Sequence, residues 1–74
     1  MPSIRFELEG EHIALNDLLK VAGVVMSGGA GKALVASGAV QVDGRTETRK
    51  TCKIRAGQEV VVGRFLIRVE AARA

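Results

Sequence analysis

The sequence predicts a small α+β domain, with two short helices on one face of a largely antiparallel sheet of about four or five short strands. Apolar residues alternate with polar ones over residues 4–8, adopt a helical spacing over residues 16–37, and alternate again after Gly38. A chain of 74 residues has room for one hydrophobic core. We therefore expect residues 1–74 to form a single domain.

The first strand is predicted over residues 4–8, where Ile, Phe and Leu alternate with Arg and Glu. The chain turns near Gly10, and Ile13 and Leu15 extend the strand pattern. Asn16 is a candidate N-cap for the first helix, because a short polar side chain can accept a hydrogen bond from the first-turn amides.

The first helix is expected to last about two turns and to end at Gly23. Ser27 is a candidate N-cap for the second helix. Each interior glycine costs a helix ~1 kcal/mol relative to alanine, so the second helix is predicted to begin near Ala30, after the glycines at 28–29, and to end at Ser37.

The second half of the chain is predicted to consist of strands and turns. Val40 and Val42 flank a polar residue, and the Asp-Gly pair that follows at 43–44 is a strong hairpin signal. Residues 45–53 are polar and basic, which is typical of an exposed turn or edge strand. Two further strands are expected over residues 60–62 and 65–69.

Positive charge is concentrated in the middle of the chain. The net charge is +3, and residues 20–55 contain seven of the eleven Lys and Arg residues but two of the eight acidic residues. Lys32 stands near the start of the second helix, where unpaired backbone amides favour an anion. Aromatic residues make up 3% of the chain, which excludes a platform of stacking rings. This pattern is typical of a surface that binds the backbone of a nucleic acid. The alternative is a solvated basic face that aids solubility.

The sequence offers no set of residues for catalysis, a metal or a cofactor. Gly31-Lys32 resembles the end of a phosphate-binding loop, but Met26 and Ala33 stand where the loop needs glycine and a hydroxyl. His12 and Cys52 are single residues of their types, fewer than a zinc site requires. We therefore expect no enzyme activity, no metal and no cofactor.

The single cysteine favours a reducing compartment, because small secreted domains usually carry several disulfides. The first residues contain an acid at Glu7 and lack the apolar run of a secretory signal. The longest stretch without charge, Val21 to Gly31, is too short to span a bilayer. A cytoplasmic protein without membrane contact is expected.

From Leu15 to Val62 the chain resembles the S4-like RNA-binding domain, also called the alpha-L motif, and the motif core is expected at about 15–62. Within that family it is most similar to the stand-alone bacterial YbcJ-like proteins. The stretches that carry the resemblance are Leu15-Asn16-Asp17-Leu18-Leu19-Lys20, Ser27-Gly28-Gly29, Lys32-Ala33-Leu34-Val35, Ser37 to Lys50, Cys52-Lys53-Ile54 and Ala56 to Val60.

The resemblance implies that the two helices and the following hairpin form an RNA-binding face. Its expected partner is structured RNA, with ribosomal or transfer RNA favoured, recognised through backbone contacts by a monomer that could associate with ribosomes. Carried over by position, the implied RNA-binding residues are Lys20, Ser27, Lys32, Gln41, Arg45, Arg49, Lys50, Lys53 and Arg55.

The chain departs from the family pattern at three positions. Gly28 replaces a common basic residue, Asp43 replaces a common Asn, and Gln58 replaces a usual Asp. The first two changes remove a cation and add an anion near the expected groove.

Two other readings stay open. Residues 28–31 match the Gly-x-x-Gly loop of KH domains, although the first helix ends too early for that clamp. A protein-binding adaptor that uses an exposed sheet edge is an alternative of another class.

Overall fold

The computed structural model describes residues 3–72, which fold into two helices, a five-stranded sheet and a two-stranded ladder. In chain order the elements are β1 (Ser3–Leu8), β2 (Ile13–Ala14), α1 (Leu15–Val21), α2 (Gly28–Ala36), β3 (Val40–Val42), β4 (Arg45–Thr46), β5 (Lys53–Ile54), β6 (Glu59–Val62) and β7 (Phe65–Ala71).

The large sheet has the strand order β1-β7-β6-β3-β4. Its neighbours are antiparallel except for β1 and β7, which run parallel, with Ile4 beside Ile67. The prediction of two helices with a largely antiparallel sheet is confirmed, and the parallel pair makes the sheet mixed. The strands β2 and β5 form a separate antiparallel ladder, in which Ile13 pairs with Ile54.

The core lies between one face of the large sheet and the two helices. Alternate residues of the strands point inward, which gives β3 and β6 buried valines, and the helices contribute leucines and one valine. The buried apolar residues are Leu8, Leu15, Leu18, Leu19, Val35, Val40, Val42, Ile54, Val60, Val62, Ile67 and Val69. The strand alternation that the sequence shows accounts for Leu8, Val40 and Val42 among these residues.

Helix α1 begins at Leu15, two residues earlier than an N-cap at Asn16 predicts, and Asn16 is not its N-cap. The N-cap residue is Ala14, which makes no side-chain capping bond. Asn16 lies in the first turn with 6% of its surface exposed, and its side-chain amide donates to the Asp17 carboxylate over 3.4 Å. Main-chain groups from another part of the chain replace the side-chain cap.

Helix α2 begins at Gly28, two residues before the predicted start, and Ser27 is confirmed as its N-cap. The Ser27 Oγ accepts a hydrogen bond from the Ala30 N–H over 3.1 Å. Gly31 is buried where α2 crosses α1, and a Cβ there would lie 2.8 Å from the Asn16 carbonyl oxygen. This contact requires glycine, since real Cβ atoms do not approach an oxygen so closely.

Replacing Gly31 with alanine is therefore expected to destabilise the domain. Overpacking costs roughly 1–3 kcal/mol. The close atom at Gly31 is a backbone oxygen, which cannot swing aside, so we expect a cost toward the upper end of that range. Such a cost exceeds the ~1 kcal/mol that alanine gains over glycine in a helix. In a thermal melt followed by circular dichroism, we expect Gly31→Ala to lower the Tm by roughly 5 °C or more.

Gly29→Ala is the matched control, because a Cβ at Gly29 meets its nearest neighbour, the Ser27 Oγ, at 4.0 Å. We expect this variant to keep or raise the Tm. Equal melting temperatures for the two variants would show that the helices do not cross as closely as described.

Candidate nucleic-acid interface

The basic loop, residues 47–52, connects β4 to β5 and packs against the start of α1. The Leu15 N–H donates to the Cys52 carbonyl over 2.9 Å, and the Asn16 N–H donates to the Lys50 carbonyl over 3.0 Å. These two bonds satisfy amides of the first helical turn, which have no partner within the helix. The loop is thus held by its main chain, and the Lys50 side chain remains exposed.

The backbone of Asn16 brings the basic loop and α2 together. Its N–H binds the Lys50 carbonyl, while its carbonyl oxygen faces the bare Cα of Gly31. Lys50 and Lys32, the residue after Gly31, therefore flank the first turn of α1. Lys20 follows one turn later on the same helix and is also exposed.

An ion pair organises the interior of the basic loop. The Glu47 carboxylate accepts hydrogen bonds from the Arg49 backbone N–H at 2.9 Å, from Nε at 3.0 Å and from Nη2 at 3.1 Å. The Arg49 guanidinium and then its backbone N–H lower the pKa of Glu47 to about 2. The same pairing raises the pKa of Arg49. The Glu47 side chain is 17% exposed and that of Arg49 76% exposed, so the arginine is held yet accessible.

Beside this ion pair lies an open depression of about 340 Å³, lined by Arg49, Thr51, Cys52 and Lys53. Cys52 is half-buried, and burial followed by the neighbouring Glu47 carboxylate raises the pKa of its thiol. Residues 3–72 contain no group of three His, Cys, Asp or Glu side chains that could hold a metal ion. No helix in the same range is long and apolar enough to cross a membrane.

The β3–β4 turn is the predicted Asp-Gly hairpin turn. Asp43 and Gly44 have φ values of 51° and 82°, as a two-residue turn of the primed type requires. The Asp43 carboxylate accepts from the Glu59 N–H at 2.9 Å and from the Gln58 side-chain amide at 3.1 Å. The Gln58 side-chain oxygen in turn accepts from the Arg55 N–H at 2.8 Å.

Two of the departures from the family pattern, Asp43 and Gln58, thus bind each other. The Glu59 N–H, followed by the Gln58 amide, lowers the pKa of Asp43. The carboxylate of Asp43 ties the turn to the start of β6, which is a structural task that the sequence pattern did not indicate.

The nine residues implied by the resemblance are all exposed, and most lie on the helix side of the sheet. Arg45 pairs with Val42, whose side chain is in the core, and Arg55 adjoins the Asp43 turn through Gln58. Gln41 is separated from the others, because it alternates with Val40 and Val42 and so projects from the opposite face. Ser27 uses its Oγ to cap α2.

The two faces of the sheet differ in how their cations are compensated. On the face opposite the helices, Arg5 contacts Glu7 at 2.8 Å and Glu70 at 3.0 Å, and Arg68 contacts Glu59 at 3.1 Å. On the helix side, Arg49 has an acidic partner. The remaining candidate cations make no ion pair with any residue in the described range: Lys20, Lys32, Arg45, Lys50, Lys53 and Arg55.

Sequence reasoning missed the part that three residues play in building this surface: Asn16, Gly31 and Glu47. Gly31 carried a signal, since a glycine inside an otherwise helical segment often marks close packing. Glu47, the single acid within a basic segment, was also visible as an exception. The position of Asn16 depends on a loop more than thirty residues away and had no local signal.

This chain is an alpha-L-type module. Its two short helices carry unpaired cations, and a hairpin and a docked basic loop follow them. The family model for the S4 domain matches residues 6–70. The chain therefore belongs to the S4 domain family.

Relatives of known name and structure agree with this assignment. The chain is 48% identical over 60 residues to "Putative RNA-binding protein YbcJ" of Escherichia coli (strain K12), covering 81% of this chain and 86% of that protein. The YbcJ protein of Shigella flexneri matches to the same extent. The solution structure of E. coli YbcJ, described as an alpha-L motif involved in RNA-binding, superimposes with a TM-score of 0.69 at 42% identity. The match covers 96% of this chain and 89% of that structure.

The hydrogen bonds of Asp43 predict a pH-dependent contribution to stability. Because the folded-state pKa of Asp43 is lowered, its contribution is present above the unfolded pKa and is lost as pH falls through the folded pKa. Asparagine also tolerates positive φ, so Asp43→Asn removes the charge while permitting the turn. We expect the variant to melt below wild type at pH 7, with the difference shrinking below a pH of about 4.

Thermal melts of both proteins from pH 7 to pH 2.5 measure this difference. Glu9→Gln, which removes an exposed acid next to Gly10, is the control. A difference between wild type and Asp43→Asn that stays constant with pH would contradict the assignment.

Proposed function

We propose that this chain is a non-catalytic RNA-binding protein that recognises structured RNA through its sugar-phosphate backbone. The observation that carries the proposal is the convergence of unpaired cations on one side of the molecule, around the first turn of α1. The description of E. coli YbcJ as an alpha-L motif involved in RNA-binding supports it. Membership of the S4 domain family supports it as well.

Contacts to phosphates account for the binding we propose. Lys and Arg side chains that neutralise phosphates release condensed counterions, which makes the affinity fall steeply with salt. The proposed contacts come from Lys20, Lys32, Lys50 and Lys53, with further contacts from Ser27, Gln41, Arg45, Arg49 and Arg55. Gln41 reaches RNA only if the RNA extends around the β3–β4 edge, because it lies on the other face.

Recognition of folded RNA by shape follows from the absence of an aromatic platform. Phe6 and Phe65, the two aromatic residues of the chain, are half-buried against the core. The His12 imidazole is exposed, but one ring does not make a platform on which successive bases stack. The grooves and 2′-hydroxyls of a helix or junction therefore remain as the main recognition features. Ribosomal and transfer RNA are the proposed targets. The proposal includes a cytoplasmic monomer that associates with ribosomes and requires no cofactor.

A protein-binding adaptor has less support. Within residues 3–72 the strongly exposed large apolar side chains are Val21, at 58%, and Met26, at 98%. Two side chains fall short of the contiguous apolar patch of several hundred Å² that marks a protein interface.

A salt titration tests the proposed function. Binding of the purified protein to a structured RNA and to a duplex DNA of equal length is measured by fluorescence anisotropy from 50 to 300 mM KCl. We expect tighter binding to RNA and a linear decrease of log K with log salt. Equal affinity for both polymers would contradict RNA recognition, and no binding at the lowest salt would contradict the function altogether.

The location of the surface is tested by removing two cations that flank Asn16. We expect Lys32→Ala with Lys50→Ala to lower the salt slope by roughly two units and to weaken binding at 100 mM salt by roughly tenfold or more. Arg64→Ala with Arg68→Ala removes the same charge from the β6–β7 turn and the opposite sheet face. If both double variants lose the same affinity, net charge and not this surface drives binding.

A further inference from the structure

Glu47 is an acidic residue in the middle of a surface that is otherwise basic. Residues 45–55 contain five basic residues and one acidic residue, Glu47. Removing an acid from a surface that binds phosphates is ordinarily expected to tighten binding, because the local potential becomes more positive. The hydrogen bonds that Glu47 makes indicate the opposite effect, namely that removing this acid weakens phosphate binding.

Both oxygens of Glu47 are engaged with one residue. Oε2 accepts the Arg49 backbone N–H and Nε, and Oε1 accepts Nη2. The first bond closes the turn of the loop, and the other two hold the guanidinium as a fork. With its Nε edge occupied, the exposed guanidinium presents its remaining N–H groups to solvent in a fixed orientation.

The turn that Glu47 closes with the Arg49 N–H leads directly into the main-chain segment that docks on α1. The Cys52 N–H donates to the Arg49 carbonyl over 3.1 Å, and the carbonyls of Lys50 and Cys52 bind the first amides of α1. Glu47 therefore fixes one end of a short segment whose other end is fixed by the helix. Between these two ends lies Lys50, with Lys53 immediately after them.

We propose that Glu47 is a positioning residue for RNA binding, which holds Arg49 and the basic loop in the conformation that contacts phosphates. This inference rests on the proposed function and deepens it, because it assigns a favourable role to an acid in that surface. An ordered loop loses less conformational freedom on binding than a mobile one, so the gain from order exceeds the loss from one negative charge.

The test compares Glu47→Gln with Glu7→Gln. The control removes the same charge from another Glu–Arg pair two residues apart, Arg5–Glu7, on β1. By anisotropy at 100 mM salt, we expect Glu47→Gln to bind structured RNA about threefold or more weakly than wild type, with a lower salt slope, despite its higher net charge. The control is expected to stay within about twofold of wild type.

A readout without RNA separates this inference from the proposed function. The 15N relaxation of the backbone amides of residues 47–52 is expected to show increased mobility in Glu47→Gln, with a Tm close to that of wild type. If wild type binds no RNA, the proposed function fails, and the relaxation data alone decide whether Glu47 orders the loop. Unchanged loop order, or tighter RNA binding by Glu47→Gln, would overturn the inference.

Arg49→Lys is a second variant for the case that Glu47→Gln melts well below wild type. It preserves every charge but cannot form the fork with Glu47. We expect weaker RNA binding and a more mobile loop. Wild-type affinity with wild-type loop order in Arg49→Lys would overturn the inference equally.

Discussion

The arrangement of this domain depends on how the first amides of α1 find their hydrogen-bond partners. No side chain caps this helix, and the carbonyls of Lys50 and Cys52 accept from Asn16 and Leu15 instead. A helix of seven residues is marginal by itself, so its start must be held by the rest of the fold. Because the holding groups belong to the main chain, the side chains of Arg49 and Lys50 are left exposed to solvent and carry charge.

Helix α2 packs against the same first turn of α1. This contact places the proposed binding surface where three distant parts of the chain meet. Gly31 lets the α2 backbone approach the carbonyl of Asn16, while the Lys50 carbonyl of the basic loop accepts a hydrogen bond from the Asn16 N–H. These two contacts place both Lys32 and Lys50 beside Asn16, although eighteen positions separate the two lysines in sequence. The packing that stabilises the domain and the geometry that presents its cations are therefore the same set of contacts.

Local sequence patterns predicted the features that depend on near neighbours. The alternation of valines in β3, the Ser27 cap and the Asp43-Gly44 turn each follow from residues within a few positions, and each was predicted correctly. The same two-residue period already places Gln41 on the face opposite the core. By contrast, the parallel β1–β7 pair and the capping of α1 by the basic loop join segments far apart in sequence.

The start of α2 and the role of Glu47 were missed for a different reason, because a long-range or side-chain contact outweighed a local preference. Glycine disfavours helix, yet α2 begins at Gly28 because Ser27 caps it and Gly31 is needed at the crossing with α1. Glu47 reads as a mere reduction of positive charge until its three hydrogen bonds to Arg49 are seen.

The distribution of ion pairs gives the strongest physical argument that the helix side is a binding surface. On the opposite sheet face, Arg5 and Arg68 both have carboxylate partners. On the helix side, six cations have no such partner among residues 3–72. Clustered like charges repel and weaken a small domain. A fold with a thin core gains nothing in stability from this repulsion, whereas a polyanion bound at the surface would remove it. A cluster of unpaired cations lowers stability locally, and such a local loss of stability is typical of a binding site.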